Sequence, residues 1–289
     1  RTAPRSASGS PATWCGTEPP VPTRRQFLAA AGALAAGSAA FGAWTWGVAP
    51  YRLELTRRPL RVAGLPGRLH GRTVVHLSDL HVGGVPERYL IRTLQRVAAL
   101  RPDFVVCTGD WITWRGPEDL ERLRAVLTHM PRGNLATVGV LGNHDYGVGW
   151  QMEDVADEVT RLAAEAGVDM LRNEALEVEG ITFLGLDDLW GPRFDPAPLL
   201  TSARGRPATI TLCHNPDTAD RPVWNGWQGW ILAGHTHGGQ VKPPFLPPPV
   251  LPVENPRYVA GEVDLRDGRR LYISRGVGHW LRVRFNVRP

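Results

Sequence analysis

The chain has 289 residues, 43% hydrophobic and 21% charged, long enough to bury a core and too apolar to be disordered throughout. Its formal charge of +5 is front-loaded: residues 1–25 hold four arginines and one glutamate, which leaves +2 for the remainder and excludes a nucleic-acid footprint. The three cysteines, Cys15, Cys107 and Cys213, are too few and too scattered for a disulfide framework. Cys107 and Cys213 lie in apolar runs and read as small buried hydrophobes.

Residues 1–22, RTAPRSASGSPATWCGTEPPVP, are rich in Pro, Ser, Thr and Gly and read as a disordered leader. They lack an initiator Met, as a mis-set start or a processed product would. Residues 23–50 follow with no charge between Gln26 and Tyr51. The run Thr23-Arg24-Arg25-Gln26-Phe27-Leu28, with the Ala/Gly-rich segment behind it, resembles a twin-arginine export signal. Ser38-Ala39-Ala40 offers a small-residue cleavage site, yet the uncharged stretch is also long enough to span a bilayer as an anchor. Trp44 and Trp46 would then suit the outer interface. Either way the expected partners are the export machinery and a membrane. Residues 51–289 are expected outside it, on the outer face of the cytoplasmic membrane, in the periplasm or in the cell wall.

From Leu53 onward apolar β-branched runs alternate with amphipathic stretches. Six runs predict strands: TVVHLSDLH, DFVVCTGD, ATVGVLGNHD, ITFLGLDD, ATITLCHNPD and GWILAGHTH. Three helical stripes lie between the early ones: Leu90, Leu94, Val97 and Ala98; Leu120, Leu123 and Leu127; Val155, Val159, Leu162 and Ala166. This alternation predicts an α/β fold with buried, largely parallel sheets and helices outside. The last third trades helices for Pro-rich loops and short strands, an α+β finish. No second domain boundary and no repeat is visible after residue 51.

Each run ends in Asp, Asn or His: Asp79 and His81; Asp110; Asn143, His144 and Asp145; Asp187 and Asp188; His214; His235 and His237. Parallel strands bring their carboxyl ends to one edge, where open α/β folds keep their ligands. One such residue is ordinary turn chemistry. A convergence of imidazoles and carboxylates reads as a metal site, and a donor set of nitrogen and oxygen without thiolate suits Mn²⁺, Fe or Zn²⁺ better than Mg²⁺ or Ca²⁺.

DLH, GD, GNHD, His214 and GHTH, in that order over about residues 70–240, resemble the motif blocks of calcineurin-like metallophosphoesterases. HTHGGQVKPP and LYISRGVGHWLRVRFNVRP resemble the exported bacterial branch. Those relatives continue past a closing RP into one more apolar strand, so the sequence ending at Pro289 is expected to lack an edge strand. The resemblance implies a two-sheet αββα sandwich with a dinuclear metal site at the strand ends. Asp79, His81 and His237 would hold one divalent ion, and Asn143, His214 and His235 the other, with Asp110 bridging both. Mn²⁺ is favoured, with Fe or Zn²⁺ as alternatives. Two ions about 3.5–4 Å apart acidify a bridging water and stabilise both attacking and leaving oxygens. His144 would protonate or stabilise the leaving oxygen, with Asp145 orienting its ring.

The implied activity is metal-dependent hydrolysis of a phosphoester, diester or monoester. Alternatives are a nucleotide-sugar-lipid pyrophosphatase and a non-catalytic metal-binding envelope protein. Asp187 and Asp188 read as a strand-end turn or as support, and His76 as a core histidine. Lys242 and Arg275 are loop cations within possible reach of phosphate. No substrate-binding residue is identified. Trp111, Trp150, Trp190, Trp224, Trp227 and Trp230 beside the strand ends, with the Pro-rich VKPPFLPPPVLPVENP, suggest an aromatic-walled cleft and a lipid-linked substrate.

Overall fold

Residues 22–289 are described by the computed structural model, so the expected leader, Pro22 excepted, lies outside the described residues. The chain divides into two units, Arg1–Gly42 and Ala43–Pro289. Helix α1, Arg24–Gly47, opens on a capping box. Thr23 N–H donates to Gln26 Oε1 at 2.8 Å, and Gln26 N–H donates back to Thr23 Oγ1 at 3.3 Å. Residues 24–44 are exposed along the whole helix. Arg24–Tyr51 is long and apolar enough to cross a membrane by length and composition.

All six predicted runs form strands in the second unit. The first sheet is parallel, in the order β1 (Val74–Leu77), β2 (Phe104–Thr108), β3 (Ala136–Val140) and β4 (Asp169–Met170). The second sheet pairs β5 (Glu174–Val178), β6 (Ile181–Gly185), β7 (Thr209–Leu212), β8 (Gly229–Ala233), β10 (Arg269–Ile273) and β9 (Gly261–Asp264), in that spatial order. Its four inner strands are parallel, while β5 and β9 run antiparallel at the two edges.

The period of two along each strand sorts side chains into layers. On β2, Phe104 and Val106 face the space between the sheets, whereas Val105 and Cys107 face the helices. Phe104 meets Phe183 of β6 across that space, ring centroids 5.4 Å apart. With both faces covered, all five β2 residues are buried, which is why the run reads as continuously apolar.

Helices α2 (Glu87–Ala99), α3 (Glu118–Leu127) and α4 (Glu153–Glu165) cover the first sheet with the predicted stripes. Ala98 is the exception: α2 buries Tyr89, Leu90, Thr93, Leu94 and Val97, and Ala98 falls on the exposed rim of that face. The far side of the second sheet has a thinner cover, the short α5 (Ala197–Ser202) and loops carrying Trp224, Trp227 and Tyr258. The architecture is the expected α/β two-sheet sandwich with an α+β finish.

Candidate metal centre

β1, β2 and β3 of the first sheet and β7 and β8 of the second point their carboxyl ends at one place. Asp79 and His81 follow β1, Asp110 follows β2, Asn143 and His144 follow β3, His214 follows β7, and His235 and His237 follow β8. The loops interlock: Asp79 N–H donates to Gly109 O at 2.9 Å, His81 N–H to Asp110 O at 3.0 Å, and Gly234 N–H to His214 O at 3.0 Å. The sheets are joined where His235 N–H donates to the Asp79 carboxylate at 3.1 Å. That approach needs glycine before it, since a Cβ at Gly234 would stand 1.9 Å from Ser78 Oγ.

Asp79, His81, Asp110, His235 and His237 all have left-handed backbones, with φ between +51° and +72°. Such non-glycine conformations cost of order 1–3 kcal/mol each and persist where surrounding structure dictates them.

Two groups of buried donor atoms result, and a third group, His81, Asp110 and the half-buried His144, overlaps both. Asp79, His81 and His237 form one, with His81 Nε2 3.1 Å from His237 Nε2 and Asp79 Oδ1 3.5 Å from His237 Nε2. Asp110, His214 and His235 form the other, with His214 Nε2 3.1 Å from both Asp110 Oδ2 and His235 Nδ1. Asp110 Oδ2 also lies 3.5 Å from His81 Nε2, so one carboxylate reaches both groups. Asn143 Oδ1 is buried and has no hydrogen-bond partner.

These donors fit a divalent cation better than they fit one another. His214 Nδ1 faces the Thr108 carbonyl at 2.7 Å, and His235 Nε2 faces the Pro252 carbonyl at 2.8 Å. Carbonyls only accept, so those nitrogens carry protons, and if both rings were neutral, bare lone pairs on His214 Nε2 and His235 Nδ1 would face each other at 3.1 Å, a repulsion that a proton or a cation relieves. Burial holds His81 down at about 3, and burial with His214 nearby does the same to His235. Burial raises Asp79 to about 6. Burial also disfavours a charged His214, but Asp110, with Asp79 and Asp188, outweighs it and lifts that imidazole to about 10. A lone proton on His214 thus supplies the positive charge that a bound cation would bring.

Residues 72–239 match the calcineurin-like phosphoesterase family. The chain belongs to that family. It is 31% identical to phosphodiesterase YaeI of Escherichia coli, over 92% of this chain and 96% of that protein. It is 27% identical to UDP-2,3-diacylglucosamine pyrophosphatase LpxG of Chlamydia trachomatis, over 85% and 90%. A metallophosphoesterase of Bacillus subtilis, YkuE, is 30% identical over 92% and 95%. The family uses divalent metal ions, and this phosphoesterase is a phosphoester hydrolase with candidate ligand groups for them.

Around the donor groups the phosphoesterase departs from expectation in places. Asp145 does not orient the His144 ring. Its Oδ1 accepts from Trp111 and Ile112 N–H at 2.8 and 3.1 Å, and its Oδ2 from Gly142 N–H at 2.8 Å. The carboxylate is consumed by three backbone donors and ties the β2 exit to the β3 exit. His144 is held instead through its own N–H, which donates to Asp110 Oδ1 at 3.0 Å, and its half-buried ring stands edge-on to His81 at 5.0 Å.

Asp187 accepts from Tyr146 Oη–H and from Arg172 Nε at 3.2 Å, a supporting role. Asp188 Oδ1 accepts from Trp190 N–H at 2.9 Å, while its buried Oδ2 has no hydrogen-bond partner. Burial raises this carboxyl to about 7.

Of the six tryptophans read as a cleft, Trp111, Trp224, Trp227 and Trp230 are core. Trp150 and Trp190 do flank the site: their rings stack at 4.7 Å, and Trp190 stands edge-on to His235 at 4.7 Å.

Sequence reasoning missed Arg284. It is fully buried and makes no ion pair among the described residues. Its Nη2 donates to the carbonyls of Arg275, Gly276 and Gly278 at 2.9, 3.3 and 2.6 Å, and its Nη1 to that of His237 at 3.3 Å. It locks the loop after β10 onto the GHTH loop. The sole signal was an arginine alternating with apolar residues in LRVRFNV.

Proposed function

We propose that this hydrolase works with two divalent ions, is tethered by α1 to the outer face of the cytoplasmic membrane, and cleaves phosphoesters that carry an apolar, lipid-linked group. The observation that carries the two-ion reading is the pair of imidazole couples, His81 with His237 and His214 with His235, joined by the single Asp110 carboxylate. Asp79, His81 and His237 would hold one ion, Asn143, His214 and His235 the other, and Asp110 both. Bound there, the ions would acidify a water and neutralise charge on the phosphoryl oxygens. Mn²⁺ is the favoured metal, on resemblance alone, with Fe or Zn²⁺ next.

The protein's own part is positional. Asp145 fixes the β3 exit through three amides, so that Asn143 and His144 leave the strand in one conformation. His144, at the rim and outside both ligand sets, would deliver a proton to the leaving oxygen. Trp190 and Trp150 form an apolar wall beside His235 that would receive the non-phosphate part of the substrate. A lipid-bearing diphosphate fits the same arrangement, and the likeness to LpxG, named for a diacylated nucleotide sugar, favours that second reading.

The full chain in detergent should hydrolyse bis-para-nitrophenyl phosphate with added Mn²⁺ and lose that activity to a chelator. Asp110→Ala should lose metal and turnover together, because both ligand sets lose their shared anion. Two ions tightly retained in Asp110→Ala would sink the assignment.

A further inference from the structure

Asp188 is fully buried shortly after β6, and its two oxygens are unequally served. Oδ1 accepts from Trp190 N–H at 2.9 Å, which closes an Asx turn. Oδ2 is buried with no hydrogen-bond partner. Turn chemistry accounts for the first oxygen and not for the second, since an asparagine would close the same turn without a charge. A buried carboxylate with a bare oxygen is costly, so such an oxygen points to a partner other than protein.

The neighbouring acids are satisfied. Asp187 uses both oxygens, on Tyr146 Oη–H, on Asp188 N–H at 2.8 Å and on Arg172 Nε at 3.2 Å, and Asp145 spends both on amides. Among the described residues only two carboxyl or amide side-chain oxygens are buried without a partner, Asp188 Oδ2 and Asn143 Oδ1. Asn143 is a proposed ligand of the second ion, with His214 and His235, and Asp188 lies at the same end. β6 pairs with β7, and Leu186 N–H donates to Leu212 O at 2.9 Å, so the chain leaves β6 beside the β7 exit that carries His214. Further on, the Trp190 ring meets His235 at 4.7 Å. The Asp188 loop therefore runs from the flank of His214 to that of His235, and its carboxyl feels the charges of His214 and Asp110.

The two proposed ligand sets also differ by one charge. Asp79 belongs to the first ion alone, whereas the second has only the neutral Asn143, His214 and His235 besides its share of Asp110. Asp188 is in none of the three donor groups, whose atoms lie within 4.8 Å of one another, so its link to an ion runs through a water. We infer that Asp188 is a positioning residue of the second ion's site: its Oδ2 accepts a hydrogen bond from a water on the ion held by Asn143, His214 and His235, and its negative charge strengthens that ion's binding. A carboxylate behind the ligands tunes a metal in this way without taking a coordination position. This inference rests on the two-ion reading.

The test is calorimetric titration with Mn²⁺ of the metal-stripped full chain in detergent, as wild type, Asp188→Asn and Asp188→Ser. Both substitutions can still close the turn onto Trp190 N–H, and both remove the carboxylate. Wild type should take up two ions. The variants should bind the first ion as wild type does and the second about 10–100-fold more weakly, as is typical when such a partner is lost. Wild-type affinity for both ions in the variants overturns the inference, because Asp188 is then a turn residue alone. Equal weakening of both ions overturns it as well, since that is a general loosening of the body. A crystal structure of the Mn²⁺-loaded wild type answers without any variant: Asp188 Oδ2 should lie within hydrogen-bond distance of a water on the second ion. Direct coordination by Asp188, or contact only with a water that touches neither ion, is incompatible with the role. Failure of the two-ion reading shows separately, as a wild type that binds fewer than two ions, and this inference then falls with it.

Discussion

His144 and Asp145 are neighbours in the chain with divergent tasks. Asp145 is fully buried and spent on three amides, so its contribution is to the shape of the β3 exit. His144 is half-buried, outside the two ligand groups proposed above, and tied by its backbone to the carboxylate they share. His144→Ala should therefore keep its metal and lose turnover, on the order of the 10²–10⁴-fold typical of general acid–base catalysis. The loss should shrink with activated leaving groups, which need less protonation. Metal content by elemental analysis, with rates on a good and a poor leaving group, checks this; an unchanged rate on the poor one refutes the role. The seven proposed ligand residues were visible in the sequence because metal binding restricts residue type so strongly at a strand end. Asp145's actual partners were not, since they are backbone amides, which every residue supplies. Arg284 was hidden for the same reason: its acceptors are carbonyls, and carbonyls leave no letter in the sequence.

Strands β1 and β10 face each other across the space between the sheets, and His76 of β1 lies there, 6.2 Å from the Tyr272 ring. Its Nε2 meets Thr108 Oγ1 at 2.9 Å, but its Nδ1 is buried without a partner, so it is only half the satisfied core histidine expected. Burial lowers it to about 4. The unfolded chain takes up this proton near pH 6.5 and the folded one resists until about 4. The stability due to a neutral His76 is therefore complete above pH 6.5 and disappears as pH falls through that window, on the order of 2–3 kcal/mol. In metal-stripped protein, the thermal midpoint of wild type should fall more than that of His76→Gln between pH 7 and 4.5. A gap between the two that stays constant with pH would exclude His76 as the cause. The sequence disclosed β2, β3, β6, β7 and β8 because each is buried on both faces and reads as an apolar run, and β1, only partly buried over Val74–His76, because its run is apolar as well. It did not disclose β4, two residues long, or β5, whose burial alternates at a sheet edge. Ala98 was misplaced because spacing defines a stripe's axis and not its width.

Arg24 and Arg25 and the folded body belong to different compartments if α1 spans a membrane. Arg24 and Arg25 precede the apolar stretch, with the +3 of residues 1–25, and the positive-inside tendency would keep that end in the cytoplasm. The buried ligand groups draw on both sheets, so the donors converge only after the body has folded. Export of an already folded body, which the twin-arginine resemblance implies, would let the metals load beforehand. Charge and recognition can be separated here, because lysine preserves the charge of the pair but not its identity. Replacing both Arg24 and Arg25 with lysine should leave the net charge and the positive-inside bias unchanged, yet strand the folded body in the cytoplasm, where protease added to spheroplasts does not reach it. If the Lys-Lys form is displayed outside as well as wild type, charge alone directs insertion and the twin-arginine reading is wrong.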